Sequence, residues 1–487
     1  MLPIQQKLTN TFYALLALPA TAMGFALSVQ ISALSWILST QYNLDIHDVG
    51  LVWAAGPLAG IIGQVLIGVI SDNVWFWNGR RRPFILIGGV LASLMLFALP
   101  SIDIISASMG FEGILGVAMA VAIALDLSIN ISFNPTRSII ADVTPEGTER
   151  TKGYTWMQTI SGSFGVMAYG IGAIWDNYVL IYSGVVLVFL FSFIPPFFIE
   201  EPKQLAGQEG STDTSSDFSL KETLVNIRPL WGFLVYDIYA MTLRLAHIEV
   251  AGYYMEILCV AATIILVFQA LLKKEDGLSK EEAGAIGFKK VLAAHSFSWI
   301  GVQTMFVYMF AYLNDTLPEL SEIEMGRVIS ISFLVLNLVG ALLPAFVLEP
   351  ITEKIGRVKT HMYCMVIMAI GYAGIVVAGV TPVMLYIFMA VCGVGWAAIV
   401  SLPFAIMSQK VDQSKMGLYM GLFNLSVVLP QLLASLGVGQ AISQAENKNL
   451  IFIICAGTLA LSAVSWMMVE EGDSSTKVEV GAGGGGH

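Results

Sequence analysis

Apolar runs of roughly twenty residues, broken by short polar turns, fill most of the chain, and about twenty apolar residues are what a helix needs to cross a bilayer. On that rule membrane helices are expected near 11–38, 50–71, 83–100, 113–136, 154–175 and 178–199. A second set is expected near 290–313, 328–350, 361–379, 382–408, 416–440 and 449–469. Lysine and arginine concentrate in alternate loops: Arg80, Arg81, Arg82, Arg137, Arg150, Lys152, Lys354, Arg357, Lys359, Lys410 and Lys415. The opposite loops are acidic or neutral, as at Asp45, Asp48, Asp103 and Glu112. The excess of positive charge on one side places both termini in the cytoplasm.

The middle of the chain follows a different pattern. Residues 200–228 form a polar loop, and 251–272 (AGYYMEILCVAATIILVFQALL) is again apolar enough to span. Parity then asks the weaker segment 229–248 to cross as well, which gives 14 spans. A half-buried amphipathic pair on the cytoplasmic face satisfies parity equally well. Within this pair a contact between Asp237 and Arg244, seven residues apart on one helix face, is the expected use of two buried charges.

Asp126 stands out from the apolar pattern. It lies within GILGVAMAVAIALDLSINISFNPTR (113–137). A carboxyl at membrane depth costs several kcal/mol unless it meets a cavity or a partner, so it marks a functional site or a buried polar knot. Asn130, Asn134 and Arg137 follow at helical spacings, which makes one face of the helix polar toward its basic end.

Composition agrees with the pattern. The 487 residues are 56% hydrophobic and only 12% charged, about half the usual charged share of a soluble domain. The net charge of −11 resides in loops and tails, and no basic stripe suggests nucleic acid. Cys259, Cys364, Cys392 and Cys455 sit in apolar runs without metal-ligand spacing and are expected to be reduced packing residues. No metal, cofactor, nucleophile elbow or phosphate loop is legible, so an enzyme is not expected. The first apolar run is expected to be a membrane helix, not a cleaved leader.

The two six-span sets echo each other. GVISD…NGRRRP (68–83) in the first is matched by EKIGRVK (353–359) in the second, and Pro135 with Gly153–Tyr154 by Pro403 with Gly417 and Tyr419. The expected domains are therefore a six-helix bundle over 1–199, a loop over 200–228 and an extra hairpin over 229–274. A second bundle over 275–469 and a disordered tail over 470–487 complete the chain. Two parallel bundles in this arrangement are the plan of the major facilitator superfamily, an all-α membrane fold with its site at mid-membrane.

Longer motifs narrow the resemblance. WAAGPLAGIIGQVLIGVISD (53–72), NGRRRPFILIG (78–88) and DLSINISFNPTRSIIAD (126–142) resemble the sucrose:proton symporters, near the glycoside–pentoside–hexuronide:cation symporters. GWAAIVSLPFAIM (395–407) and MGLYMGLFNLSVVLPQ (416–431) look like the same family. The resemblance covers most of both bundles but not 200–280. It implies that Asp126 takes part in proton coupling and sugar binding, with protons as the coupling ion and no cofactor. Ser28 stands where that family usually has an amide, and FVYMFAY (306–312) replaces its acidic cluster.

Polar side chains at matching depth are the expected sugar contacts: Ser28, Gln30, Asn130, Gln158, Gln303, Asn424 and Gln431. Trp53, Trp156, Trp299 or Trp396 can stack on a sugar face. His295 is expected to be structural. Asp72 with Arg80, Arg81 and Arg82 can latch one end of the bundle, and Arg137 with Asp142 can form an equivalent ion pair. The expected function is proton-coupled symport of a small sugar by a monomeric protein of the plasma (inner) membrane. The alternatives are another small metabolite, for which Met305, Phe306, Met309 and Phe310 form a suitable lining, or a non-transporting membrane scaffold.

Overall fold

The computed structural model describes residues 5, 7–60, 70, 74–110, 113–145, 148–202, 220–246, 248, 250, 252–411 and 416–471. Among them the chain is helical, with α1 Asn10–Thr40, α2 Ile46–Trp53, α3 Arg82–Ala98, α4 Ile102–Met109, α5 Leu115–Val143, α6 Thr148–Ile174 and α7 Asn177–Phe193. Then come α8 Leu220–Asn226, α9 Trp231–Leu245, α10 Tyr254–Leu271, α11 Lys280–Thr316, α12 Glu322–Leu343, α13 Glu349–Ile355 and α14 Arg357–Ala378. The last four are α15 Pro382–Ser408, α16 Met416–Leu433, α17 Gly439–Gln444 and α18 Leu450–Trp466.

Local chemistry sets many helix starts. Thr9, Asp45, Asp176 and Thr381 each accept a backbone N–H from the first turn of the helix they precede. Ser279 and Glu282 form a full capping box at the start of α11. Pro83 and Pro382 occupy first-turn positions, where a missing N–H costs nothing.

Nine helices or continuous helix runs among the described residues are long and apolar enough to cross a membrane. The count of fourteen goes beyond them. Helix α9 has 15 residues, or about 22 Å, against a hydrocarbon core of about 30 Å. Helix α10, with 18 residues, meets the criterion.

The described chain divides into two units. One holds the residues up to 202 together with 320–334, and the other holds 220–319 and 335–471. In the first, α1 packs on α6 and α7, and α3 on α5 and α7. Phe12, Leu16, Ile85, Ile139, Ile140 and Ile199 form a buried cluster at its basic end. Helices α3 and α7 cross so closely at Gly89 that an added Cβ would lie 1.9 Å from that of Ser192. In the second unit, α11 packs on α16 and α18, and α14 on α15 and α18. Helices α9 and α10 pack on each other and against α16 and α11 respectively.

Candidate functional site

Asp126 is buried on α5, and its neighbour is an amide from α1. The Gln30 side-chain nitrogen donates to both carboxylate oxygens, at 3.1 and 3.0 Å. Gln30 is itself buried. The third wall is Gly56, where a Cβ would stand 3.2 Å from either carboxylate oxygen. Three chain segments thus converge on one carboxyl, and the group that holds it is a neutral amide rather than a cation.

The other expected contacts in this unit spread outward from that point. Asn130 donates to the backbone carbonyl of Asp126 at 2.8 Å, so it serves its own helix. Ser28 donates to the Gly24 carbonyl at 3.0 Å. The Trp53 indole donates to Ser35 at 2.8 Å, tying α2 to α1. Gln158 and Trp156 are half-buried on α6.

In the second unit the expected residues fall beside an aromatic cluster. Gln431 donates to the Gln303 side-chain oxygen at 3.3 Å, joining α16 to α11. Asn424 is half-buried on α16. Trp299 stands edge-on to Trp396 at 6.1 Å, and Trp396 to Phe306 at 5.6 Å. The Trp396 indole donates to Asn337 at 3.1 Å. His295 belongs to this cluster: it stacks on Phe423 at 4.9 Å and accepts from the Trp299 indole at 2.9 Å. Met305 and Met309 are buried, Met305 against the Tyr372 hydroxyl.

The basic ends of both units use one device absent from the expectations. After α7 the chain returns to α3, where the Glu201 carboxylate accepts from the backbone N–H groups of Arg80, Arg81 and Arg82 at 2.7–3.1 Å. After α18 the Glu471 carboxylate accepts from Arg357 at 2.8 Å and Val358 at 3.0 Å. Each carboxylate satisfies the orphan donors of a helix N-terminus and meets its positive dipole end. Gly79 and Gly356 make room: a Cβ would lie 2.7 Å from Glu201 and 2.5 Å from Glu471. Gly356 also has φ +87°, which favours glycine. The Gly-Arg echo in the sequence is the donor half of this cap. Its acceptor half recurs as Ile199-Glu200-Glu201 and Val469-Glu470-Glu471.

Two expected ion pairs give way to other contacts. Asp142 pairs with Arg81, 3.1 Å away just ahead of α3, and both side chains are largely buried. Arg137 instead lies over the Phe133 ring at 4.2 Å. Positions five apart on a helix point about 140° from each other, so Arg137 and Asp142 do not share a face. Asp237 does not meet Arg244 either. Both Asp237 oxygens are buried without a hydrogen-bond partner, and Arg244 donates to the Leu436 carbonyl at 2.7 Å. A seven-residue separation keeps the face but puts about 10 Å of rise between the two groups. Arg80 and Arg82 offer their backbone to Glu201, while Asp72 lies outside the described residues. In the second unit Glu275 bridges Lys290 at 3.0 Å and Lys410 at 3.1 Å, a buried triad that sequence spacing does not reveal.

The model of the major facilitator superfamily matches residues 16–435, with a further match over 294–484. The chain belongs to the major facilitator superfamily. Its apolar helices accordingly make it an integral membrane protein. Among its relatives is a sucrose transport protein of Arabidopsis thaliana, 22% identical over 471 residues, covering 90% of this chain and 85% of the relative. Among solved structures, a nucleoside transporter superposes with a TM-score of 0.65 at 12% identity, covering 94% of this chain and all of that one. The xylose transporter from E. coli, in an inward-open conformation, gives 0.57 at 16% identity, covering 96% and 97%. At such identities the structures establish the fold, and the relatives and neighbours alike are transporters, not enzymes.

Proposed function

We propose that this member of the superfamily is a secondary active transporter that carries a small sugar or glycoside together with protons. The observation that carries the reading is the pairing of Asp126 with Gln30: a buried ionisable carboxyl held by a neutral amide. A lysine or arginine partner would hold such a group permanently charged, whereas an amide is a donor through its nitrogen and an acceptor through its oxygen. Gln30 therefore suits both states of Asp126. It donates to the carboxylate, as here, and after a half-turn of the amide it accepts from the protonated acid.

The coupling follows. A proton taken up by Asp126 removes the cost of a bare charge at membrane depth and favours loading of the solute. Release of the solute and exposure to the opposite side let the proton leave. The sugar contacts proposed are Ser28, Gln30, Trp53, Asn130 and Gln158, with Gln303, Asn424 and Gln431 beside the Trp299–Trp396 cluster. Aromatic faces and amides are the usual partners of a pyranose ring and its hydroxyls. The choice of a sugar rests on the sucrose transport relative, which matches over most of both chains. The expected topology is two six-helix bundles joined by the α9–α10 pair, with 14 spans and cytoplasmic termini, in the plasma (inner) membrane as a monomer.

Uptake of labelled sucrose, maltose and glucosides into proteoliposomes, with and without an inward proton gradient, tests this reading. Accumulation of one of them above equilibrium under the gradient alone supports it. Gradient-independent equilibration of every sugar in the panel counts against coupling.

A further inference from the structure

The α9–α10 pair, with α11 and the α16–α18 region, borders an open cavity of about 720 Å³. That size is typical of a site for a drug-sized ligand. Its walls are mainly apolar, with Phe233, Val260, Ile264, Phe297, Ile300 and Leu461 among them. Val260 and Ile264 line the cavity and are also half exposed on the outer face of α10, where Ile257, Leu258, Ile265 and Phe268 are exposed too. The cavity therefore opens on an apolar surface, which in a membrane protein faces lipid.

One wall group is a carboxyl. Glu256 lines the cavity from the first turn of α10, and its Oε2 is buried without a hydrogen-bond partner. Gln440 and Gln444 line the same cavity at i and i+4 on α17, with Tyr253 donating to the Gln444 side-chain oxygen at 3.1 Å. The lining residues Tyr253 to Ile264 extend along about 16 Å of helix, the reach of an acyl segment. No lysine or arginine lines the cavity among the described residues.

We propose that this cavity is a lipid site for one phospholipid whose head carries a primary ammonium group. The ammonium pairs with the stranded Glu256 oxygen, Gln440 and Gln444 offer amide donors to the phosphate, and the acyl chain lies along Val260, Ile264 and Phe297. A carboxylate oxygen buried without a partner is costly, and an ammonium donated from the bilayer removes that cost. An anionic head would place like charges together, and a sugar would find few hydroxyl partners along an apolar wall. The site lies within one unit and does not depend on the transport reading.

Native mass spectrometry of the full chain, released from detergent containing equal amounts of dioleoyl phosphatidylethanolamine and dioleoyl phosphatidylglycerol, tests the proposal. One retained phosphatidylethanolamine per folded chain is expected, favoured about tenfold over phosphatidylglycerol, as a charge-assisted hydrogen bond warrants. Glu256→Gln removes that preference while Val260→Trp, which fills the cavity, removes the bound lipid. Equal retention of both lipids, an unchanged preference in Glu256→Gln, or a bound lipid that survives Val260→Trp overturns it.

Discussion

Gln30 on α1 and Asp126 on α5 meet across 96 residues of sequence through a single amide nitrogen placed 3.0 and 3.1 Å from the two carboxylate oxygens. Replacing Gln30 by leucine keeps the volume and deletes the donor. A hydrogen bond to a charged group contributes about 1.5–3 kcal/mol, so Gln30→Leu should lower detergent stability by that order when Asp126 is charged. The same substitution made on Asp126→Asn should cost clearly less, and thermal melts of the four proteins measure the difference. Equal losses in both backgrounds would mean that the pair is not coupled.

The two carboxylate caps lead to a paired expectation. Glu201→Gln and Glu471→Gln keep size but lose charge at a helix N-terminus, and each should cost about 1–2 kcal/mol, read as a lower melting temperature. The larger effect is expected for Glu201, which meets three backbone donors against two for Glu471. Gly79→Ala and Gly356→Ala should act in the same direction by pushing the cap away.

Arg81 and Asp142 form a largely buried pair, so removing one partner strands the other. Arg81→Ala and Asp142→Ala should each destabilise by about 3 kcal/mol, and the double variant by much less than the sum. Arg137→Ala should couple only weakly to Asp142, since its partner is the Phe133 ring. A double-mutant cycle with strong Arg137–Asp142 coupling would reverse that assignment.

At the start of α11 the Ser279 hydroxyl and backbone N–H hold the exposed Glu282 carboxyl below its ordinary pKa. Because the folded value is the depressed one, this contribution is complete above the ordinary carboxylate range and disappears as the pH falls through the folded value. The stability gap between wild type and Ser279→Ala should accordingly narrow on acidification below about pH 4. A gap that widens there would contradict the capping box.

How far these features could be seen beforehand depends on their range in sequence. Apolar runs marked most of the described long helices, because burial in lipid is a local property of twenty consecutive residues, while the expected span 50–71 lies partly outside the described residues. Asp126 was visible for the same reason. Its partner was not: Gln30 was one of several amides at similar depth, and only the packing of α1 on α5 selects it. The ion pairs failed where spacing along one helix was allowed to stand for contact. Arg137–Asp142 has the wrong angular offset and Asp237–Arg244 too much rise. The Glu201 and Glu471 caps left a signal in the repeated Glu-Glu after each half, but a carboxylate reaching another helix's N-terminus has no periodicity to betray it. The Glu275–Lys290–Lys410 triad likewise joins three separate segments.

Asp126 is the centre of the account, and Asp126→Asn is its most direct test. The asparagine matches the shape of the carboxyl and can keep a hydrogen bond to Gln30, while it cannot take up and release a proton. In proteoliposomes the wild type should concentrate its sugar when an inward proton gradient is imposed. Asp126→Asn should lose that accumulation while still binding or exchanging the sugar. Gradient-driven accumulation by Asp126→Asn at the wild-type level would contradict the assignment of Asp126 as the coupling group.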